Sequence, residues 1–158
     1  METQIKVGVL IIDSEKLLLI KEWSNNKNGY FWNIIKGTFD NTLDKTILDC
    51  AKREVKEEVG TSIKLNNLIN ISFKYGFNTR IYLNFTASIT KGKPHFAPKK
   101  EQDSRQEEII ETKWFTKNEL KKLSEVDFIN DVVYKSVKDW LKGNIYSLDI
   151  LSEKNLNS

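Results

Sequence analysis

Glu54, Glu57 and Glu58 stand at positions i, i+3 and i+4 of one charged stretch. At about 3.6 residues per turn, a helix would gather their three carboxylates on one side. The same stretch reads as helical, because Ile47, Ala51, Val55 and Val59 recur every four positions with Leu48 beside them. That spacing makes a single apolar stripe, with the acids turned away from it. Like charges so placed repel by roughly a few tenths of a kcal/mol each, so a cation is expected between them. Oxygen-only ligands suit a hard divalent ion, and magnesium is commonly held by one or two carboxylates together with substrate phosphate oxygens and water. A solvated face is the competing reading, since Glu and Lys are good helix formers and Lys52 and Lys56 could pair with the acids.

The longer string decides between the two. Arg53-Glu54-Val55-Lys56-Glu57-Glu58-Val59-Gly60 fixes five identities over eight positions, a pattern expected by chance roughly once in ten thousand chains of this length. It resembles the signature of the Nudix hydrolases, in which Arg-Glu-hydrophobic-x-Glu-Glu-x-Gly-hydrophobic follows a Gly, five residues, a Glu and seven residues. Val55 fills the hydrophobic slot, and Thr61 stands where a second hydrophobic residue is usual. The first half departs from the pattern: Lys45 occupies the place of the leading Glu, and Phe39 that of the Gly. With Gly37 as the matching glycine, the loop carries two extra residues and Asp44 becomes the stand-in for the Glu.

The resemblance implies an α/β/α sandwich with a mixed central β-sheet. It also implies magnesium-dependent cleavage of a nucleoside diphosphate linked to a second group, with manganese as a substitute ion. By similarity, Glu57 and Glu58 are metal ligands, Glu54 is a ligand or the general base, and Arg53 orients the carboxylates. The family commonly adds an acid shortly before a Trp-hydrophobic pair. In Glu107-Glu108-Ile109-Ile110-Glu111-Thr112-Lys113-Trp114-Phe115, Glu108 is assigned that role, as a further ligand or base. Lys36 and Arg80 are the basic residues placed to meet phosphate oxygens, and Lys36-Gly37 could add backbone N–H donors. Trp23, Phe31, Tyr75, Phe77 and Phe96 are candidates for stacking a nucleobase, with core or rim packing as the alternative for each.

These residues need a frame to hold them. The chain has 158 residues, 39% hydrophobic and 30% charged, which is expected to form one domain over 1–150 with a polar, frayed tail over 151–158. Ile5–Ile12 and Leu17–Ile20 read as a hairpin, and Tyr30–Ile35 as a strand leading into a loop at Gly37–Leu43. The helix opens at either Asp44 or Thr46, the latter through Thr46-x-x-Asp49, and ends at Gly60. Strands follow over 63–73, with an interruption at Asn66-Asn67, and over 79–89. Residues 91–108 form a loop and charged connection that contains His95, the lone histidine. A strand over 109–115 precedes a capping box, Thr116-x-x-Glu119, and a last helix over 128–142 capped by Asp127.

The net charge of +3 does not by itself argue for nucleic acid, so an RNA 5′ end stays open as a substrate without support. Cys50 is the one cysteine, which excludes an internal disulfide and points to a reducing, cytoplasmic location. No apolar run approaches the roughly 18 residues of a membrane span. The expected substrate is a small nucleotide derivative: a nucleoside triphosphate, a nucleotide sugar or a dinucleoside polyphosphate. A homodimer remains open. The alternatives to an enzyme of this kind are a nucleotide sensor, favoured by the irregular loop, and an isomerase, for which Cys50 sits on the wrong side of the helix.

Overall fold

The computed structural model describes residues 2–153. The order of elements is β1 (Thr3–Asp13), β2 (Lys16–Ser24), β3 (Gly29–Asn33), β4 (Ile35–Thr38), α1 (Ile47–Val59), β5 (Ser62–Lys74), β6 (Thr79–Lys91), α2 (Lys99–Ser104), β7 (Ile109–Phe115), α3 (Lys117–Lys122), α4 (Asp131–Leu141) and β8 (Tyr146–Ser147). The strands form a mixed sheet in the order β3-β2-β1-β6-β5-β8, with β4 also on β1 and β7 on β2. The β1–β6 pair is parallel and the other named pairs are antiparallel. Among the described residues no helix is long and apolar enough to cross a membrane.

Strand β1 reads as a continuous apolar run because both of its faces are covered. Val7, Val9 and Ile11 join Ala51, Val55 and Val59 of α1 in the larger core. Leu10 faces the other way, into a second core with Leu120 of α3 and with Val133 and Val137 of α4. The two cores put a helical layer on each side of the sheet, as the α/β/α expectation requires.

One feature of the sheet creates the site. Strand β1 pairs with β4 through Lys6, Val7, Gly8 and Val9, then with β2 only at Ile12 and Asp13. The sheet therefore forks, and a cleft opens between the branches. The sequence placed residues 30–35 in one strand, but the chain switches partner there: β3 pairs with β2 and β4 with β1. Ile34, buried in the second core, lies at the switch.

Other boundaries shift for local reasons. Strand β5 runs unbroken, but its register slips between Leu65 and Asn67 and again between Leu68 and Asn70, so the expected interruption is a bulge. The charged connection contains the short helix α2, held by the buried Gln102, whose amide donates to the Ala97 and Ile109 carbonyls and whose oxygen accepts from the Ile109 N–H. The last helix is capped by Asn130, which accepts from the Val133 N–H at 3.0 Å, and not by Asp127. Asp127 instead closes a preceding turn of 3-10 helix by accepting from the Ser124 N–H. Leu151 packs against the larger core, and Glu153 accepts from the Ile47 N–H at 2.7 Å. The remainder of the expected tail, 154–158, lies outside the described residues.

Candidate functional site

Helix α1 starts with a complete capping box, in which Thr46 Oγ1 accepts from the Asp49 N–H and Asp49 accepts from the Thr46 N–H. That settles the choice between Asp44 and Thr46 and frees Asp44 for another task. Asp44 takes both sides of the Arg53 guanidinium, Nε to Oδ1 at 2.8 Å and Nη2 to Oδ2 at 2.8 Å. Its Oδ2 also accepts from the Asp40 N–H, so one buried carboxylate ties the irregular loop to the helix. Arg53 Nη1 then reaches Glu54 at 2.7 Å and Glu57 at 3.4 Å, and Nη2 reaches the Thr38 carbonyl at 3.2 Å. The arginine therefore fixes the acids rather than standing free for a ligand.

The Asp44–Arg53 fork has a pH signature. Arg53, through its hydrogen bonds, holds the Asp44 carboxyl below its ordinary value. A depressed carboxylate stabilises the fold above its unfolded pKa, and that stability is lost as the pH falls from about 4 downward. Asp44→Asn is expected to lower stability by about 2 kcal/mol at neutral pH. Melting temperatures recorded from neutral pH into this acid range should show the variant and the wild type converging.

The acids of α1 do not all face solvent. Glu54 and Glu58 are 7% and 4% exposed, whereas the Glu57 side chain keeps 35%. All three still turn away from the apolar stripe, and none joins the larger core; two are buried because β4 roofs the helix. A Cβ on Gly37 would lie 1.8 Å from the Glu54 carboxyl carbon, so only glycine admits the carboxylate there. At the other end, Gly60 has φ 71° and lies against the His95 ring, while the His95 N–H donates to the Val59 carbonyl. This closes α1 with its acids in place.

Gly37, Arg53, Glu54, Glu57 and Glu58 line a cleft of about 990 Å³. Two further carboxylates, Glu22 of β2 and Glu107, border it. Burial pushes the Glu58 carboxyl well above its usual range, reinforced by Glu22, Glu107 and Glu54. Burial also raises Glu54, with Arg53 opposing, and Glu107, with Arg105 opposing. Glu58 Oε2 is buried without a hydrogen-bond partner. A buried acceptor among like charges is costly unless a cation completes it. Among the described residues no three His, Cys, Asp or Glu side chains form a ready-made metal cage. An oxygen-only set short of a full cage fits magnesium, which retains water and takes phosphate oxygens.

Lys36, Gly37 and Arg80 line the same cleft, and so does Lys6. Glu108 is not brought there. It is exposed and accepts from the Tyr30 hydroxyl, while its neighbour Glu107 turns inward, held by Arg105 Nε at 3.0 Å. Arg105 also donates to the Glu57 carbonyl at 2.9 Å and so ties the connection to the end of α1. Glu22 receives the Asn33 amide at 2.6 Å. The sequence reading missed Glu22, Glu107 and Lys6. For Lys6 the signal was a charge within an otherwise apolar run, Ile5–Ile12, whereas Glu22 follows Lys21 just past the apolar run Leu17–Ile20. Cys50 is wholly buried in the larger core, and burial pushes its thiol up to about 12, which removes it as a nucleophile.

The family model described as the NUDIX domain matches residues 2–137. No curated protein matches the chain. Among solved structures, a NUDIX hydrolase from Nitrosomonas europaea is similar, with a TM-score of 0.78 and 21% identity over 98% of this chain and 99% of that one. A MutT NUDIX hydrolase from Burkholderia pseudomallei has a TM-score of 0.68 and 17% identity, over 88% of this chain and 98% of that one. A structure described as ADP compounds hydrolase has a TM-score of 0.64 and 18% identity, over 89% and 74% respectively. At these identities the neighbours speak for the fold.

Proposed function

The chain belongs to the Nudix family of hydrolases, which act on phosphoric anhydride bonds, and from that premise we propose that it is a magnesium-dependent pyrophosphohydrolase of a nucleotide derivative. The observation that carries the reading is the orphaned Oε2 of the buried Glu58, set among carboxylates in a cleft that also holds lysine and arginine. Glu54, Glu57 and Glu58 would hold the ion, and Glu107 takes the role that the sequence assigned to Glu108. When bound, magnesium neutralises phosphate charge and lowers the pKa of coordinated water.

The protein's own residues supply the rest. Lys36 and Arg80 draw in and orient the phosphate chain, and Arg53 keeps Glu54 and Glu57 from swinging apart. Hydrolysis adds one water across the P–O–P link. The water oxygen becomes a phosphoryl oxygen of one fragment, and the bridging oxygen leaves with its electron pair on the other. The displaced proton passes to Glu54 or Glu107, whose carboxyls burial raises and so makes better proton acceptors than an exposed carboxylate.

The test is incubation with magnesium and a panel of diphosphate-linked nucleotides, with products separated by chromatography. The reading predicts release of a nucleoside phosphate that stops when a chelator is added. If none of the panel is cleaved while one member raises the melting temperature, the nucleotide-sensor reading takes its place.

A further inference from the structure

The cations of the cleft form a set of their own. Directly paired residues on neighbouring strands point to the same face of a sheet, as do alternate residues along one strand. Lys6 pairs with Thr38 of β4 and Tyr82 of β6, Lys36 with Gly8, and Gln4 with Arg80. Lys6, Lys36 and Arg80 therefore share one face of three adjacent strands. It is the α4 face, because Leu10, two residues beyond Gly8, enters the second core. Helix α1, with its acids, packs on the opposite face.

None of the three has an ion-pair partner among the described residues. Lys74, across from Arg80 on β5, is paired with Asp131. Lys6 is engaged only by the neutral Thr38 hydroxyl. The mutual repulsion is real: after burial, Arg80 and Lys36 are what lower the Lys6 ammonium below its usual pKa. Glu54 acts on Lys6 from across the cleft, and Glu22 and Glu58 on Lys36, but none closes to an ion pair, so the three cations keep their contacts for an anion that arrives with the ligand.

The number of charges then bears on the substrate. In a nucleotide sugar, both phosphoryl groups belong to the anhydride being cut and would be taken up by the ion that Glu54, Glu57 and Glu58 would hold. The three cations would face an uncharged sugar, with their repulsion unrelieved. We propose that the substrate carries a chain of three or more phosphoryl groups, of which those beyond the cleaved anhydride lie against Lys6, Lys36 and Arg80. The proposal rests on the hydrolase reading above. A nucleoside triphosphate and a dinucleoside polyphosphate both present this chemistry.

Two measurements on the full-length protein test it. In the first, inorganic tripolyphosphate and pyrophosphate are titrated calorimetrically into metal-free protein. Tripolyphosphate is expected to bind about tenfold more tightly, and a Lys6→Gln/Arg80→Gln double variant to lose most of that difference. In the second, kcat/KM is compared with magnesium for a nucleoside triphosphate, a dinucleoside tetraphosphate and an ADP-sugar. One of the two polyphosphates is expected to exceed the ADP-sugar by about tenfold, with the ratio falling toward one in the double variant. Which polyphosphate leads distinguishes the two sources. Preference for the ADP-sugar, or an equal loss on all substrates in the variant, overturns the proposal while the hydrolase reading stands. If no substrate is cleaved, the hydrolase reading fails and takes this proposal with it.

Discussion

Glu58→Gln is expected to lower kcat by about a thousandfold, because in the proposed reaction it removes a negative oxygen from the point where a cation would be held against phosphate. The same change should not weaken the fold. Glu58 is 4% exposed and one of its oxygens has no partner, so the metal-free wild type carries the cost of burying it. Its folded-state pKa is raised, which means that the native state binds the proton more tightly than the unfolded chain does. Stability of the metal-free protein therefore declines as pH rises from the ordinary carboxylate range through the raised value. Glutamine does not titrate, so the variant lacks this decline. Melting temperatures recorded without metal should be no lower for the variant than for the wild type, with a gap that widens toward alkaline pH. A variant that loses both activity and stability would make Glu58 a structural residue.

Val55→Asp should do the opposite and abolish folding. Val55 lies between Glu54 and Lys56 in sequence, yet it is wholly buried in the larger core with Val7, Val9, Ala51 and Val59. An unpaired carboxylate there meets hydrocarbon, with neither a cleft nor a cation beside it. The cost exceeds about 4 kcal/mol, against a total stability of roughly 5–15 kcal/mol for a domain. Circular dichroism should show loss of the cooperative transition, and the protein should be found mainly in the insoluble fraction. Val55→Ala, which leaves only a small void, should stay folded and lose about 2 kcal/mol. A soluble Val55→Asp protein with a native spectrum would mean that α1 does not pack on the sheet as described.

Much of this was legible in the chain because the signals were local. The four-residue recurrence of Ile47, Ala51, Val55 and Val59, the cap at Thr46 and the stop at Gly60 each act within one helix, and α1 runs from Ile47 to Val59. The Asp44 substitution could also be read, since a carboxylate one position early still reaches an arginine two turns on. What escaped depends on where strands meet. Residues 30–38 look like one strand and a loop, but whether they split between β2 and β1 is decided by partners far along the chain. Of two adjacent glutamates, Glu107 and Glu108, only one can face the cleft. The choice is made by Arg105 on one and Tyr30 on the other, contacts that spacing alone does not encode. Lys6 was hidden in the same way, since its role depends on Arg80, a residue 74 positions distant, arriving on the parallel neighbour β6.

If the glutamates of α1 are kept for a divalent cation, magnesium must bind the protein through them before any substrate does. Calorimetric titration of magnesium chloride into metal-free wild-type protein and Glu58→Gln, near neutral pH, measures this without any assumption about substrate. Saturable binding to the wild type is expected, accompanied by proton release and a rise in melting temperature, with both lost in the variant. Identical heats in the two proteins, or none in either, would contradict it.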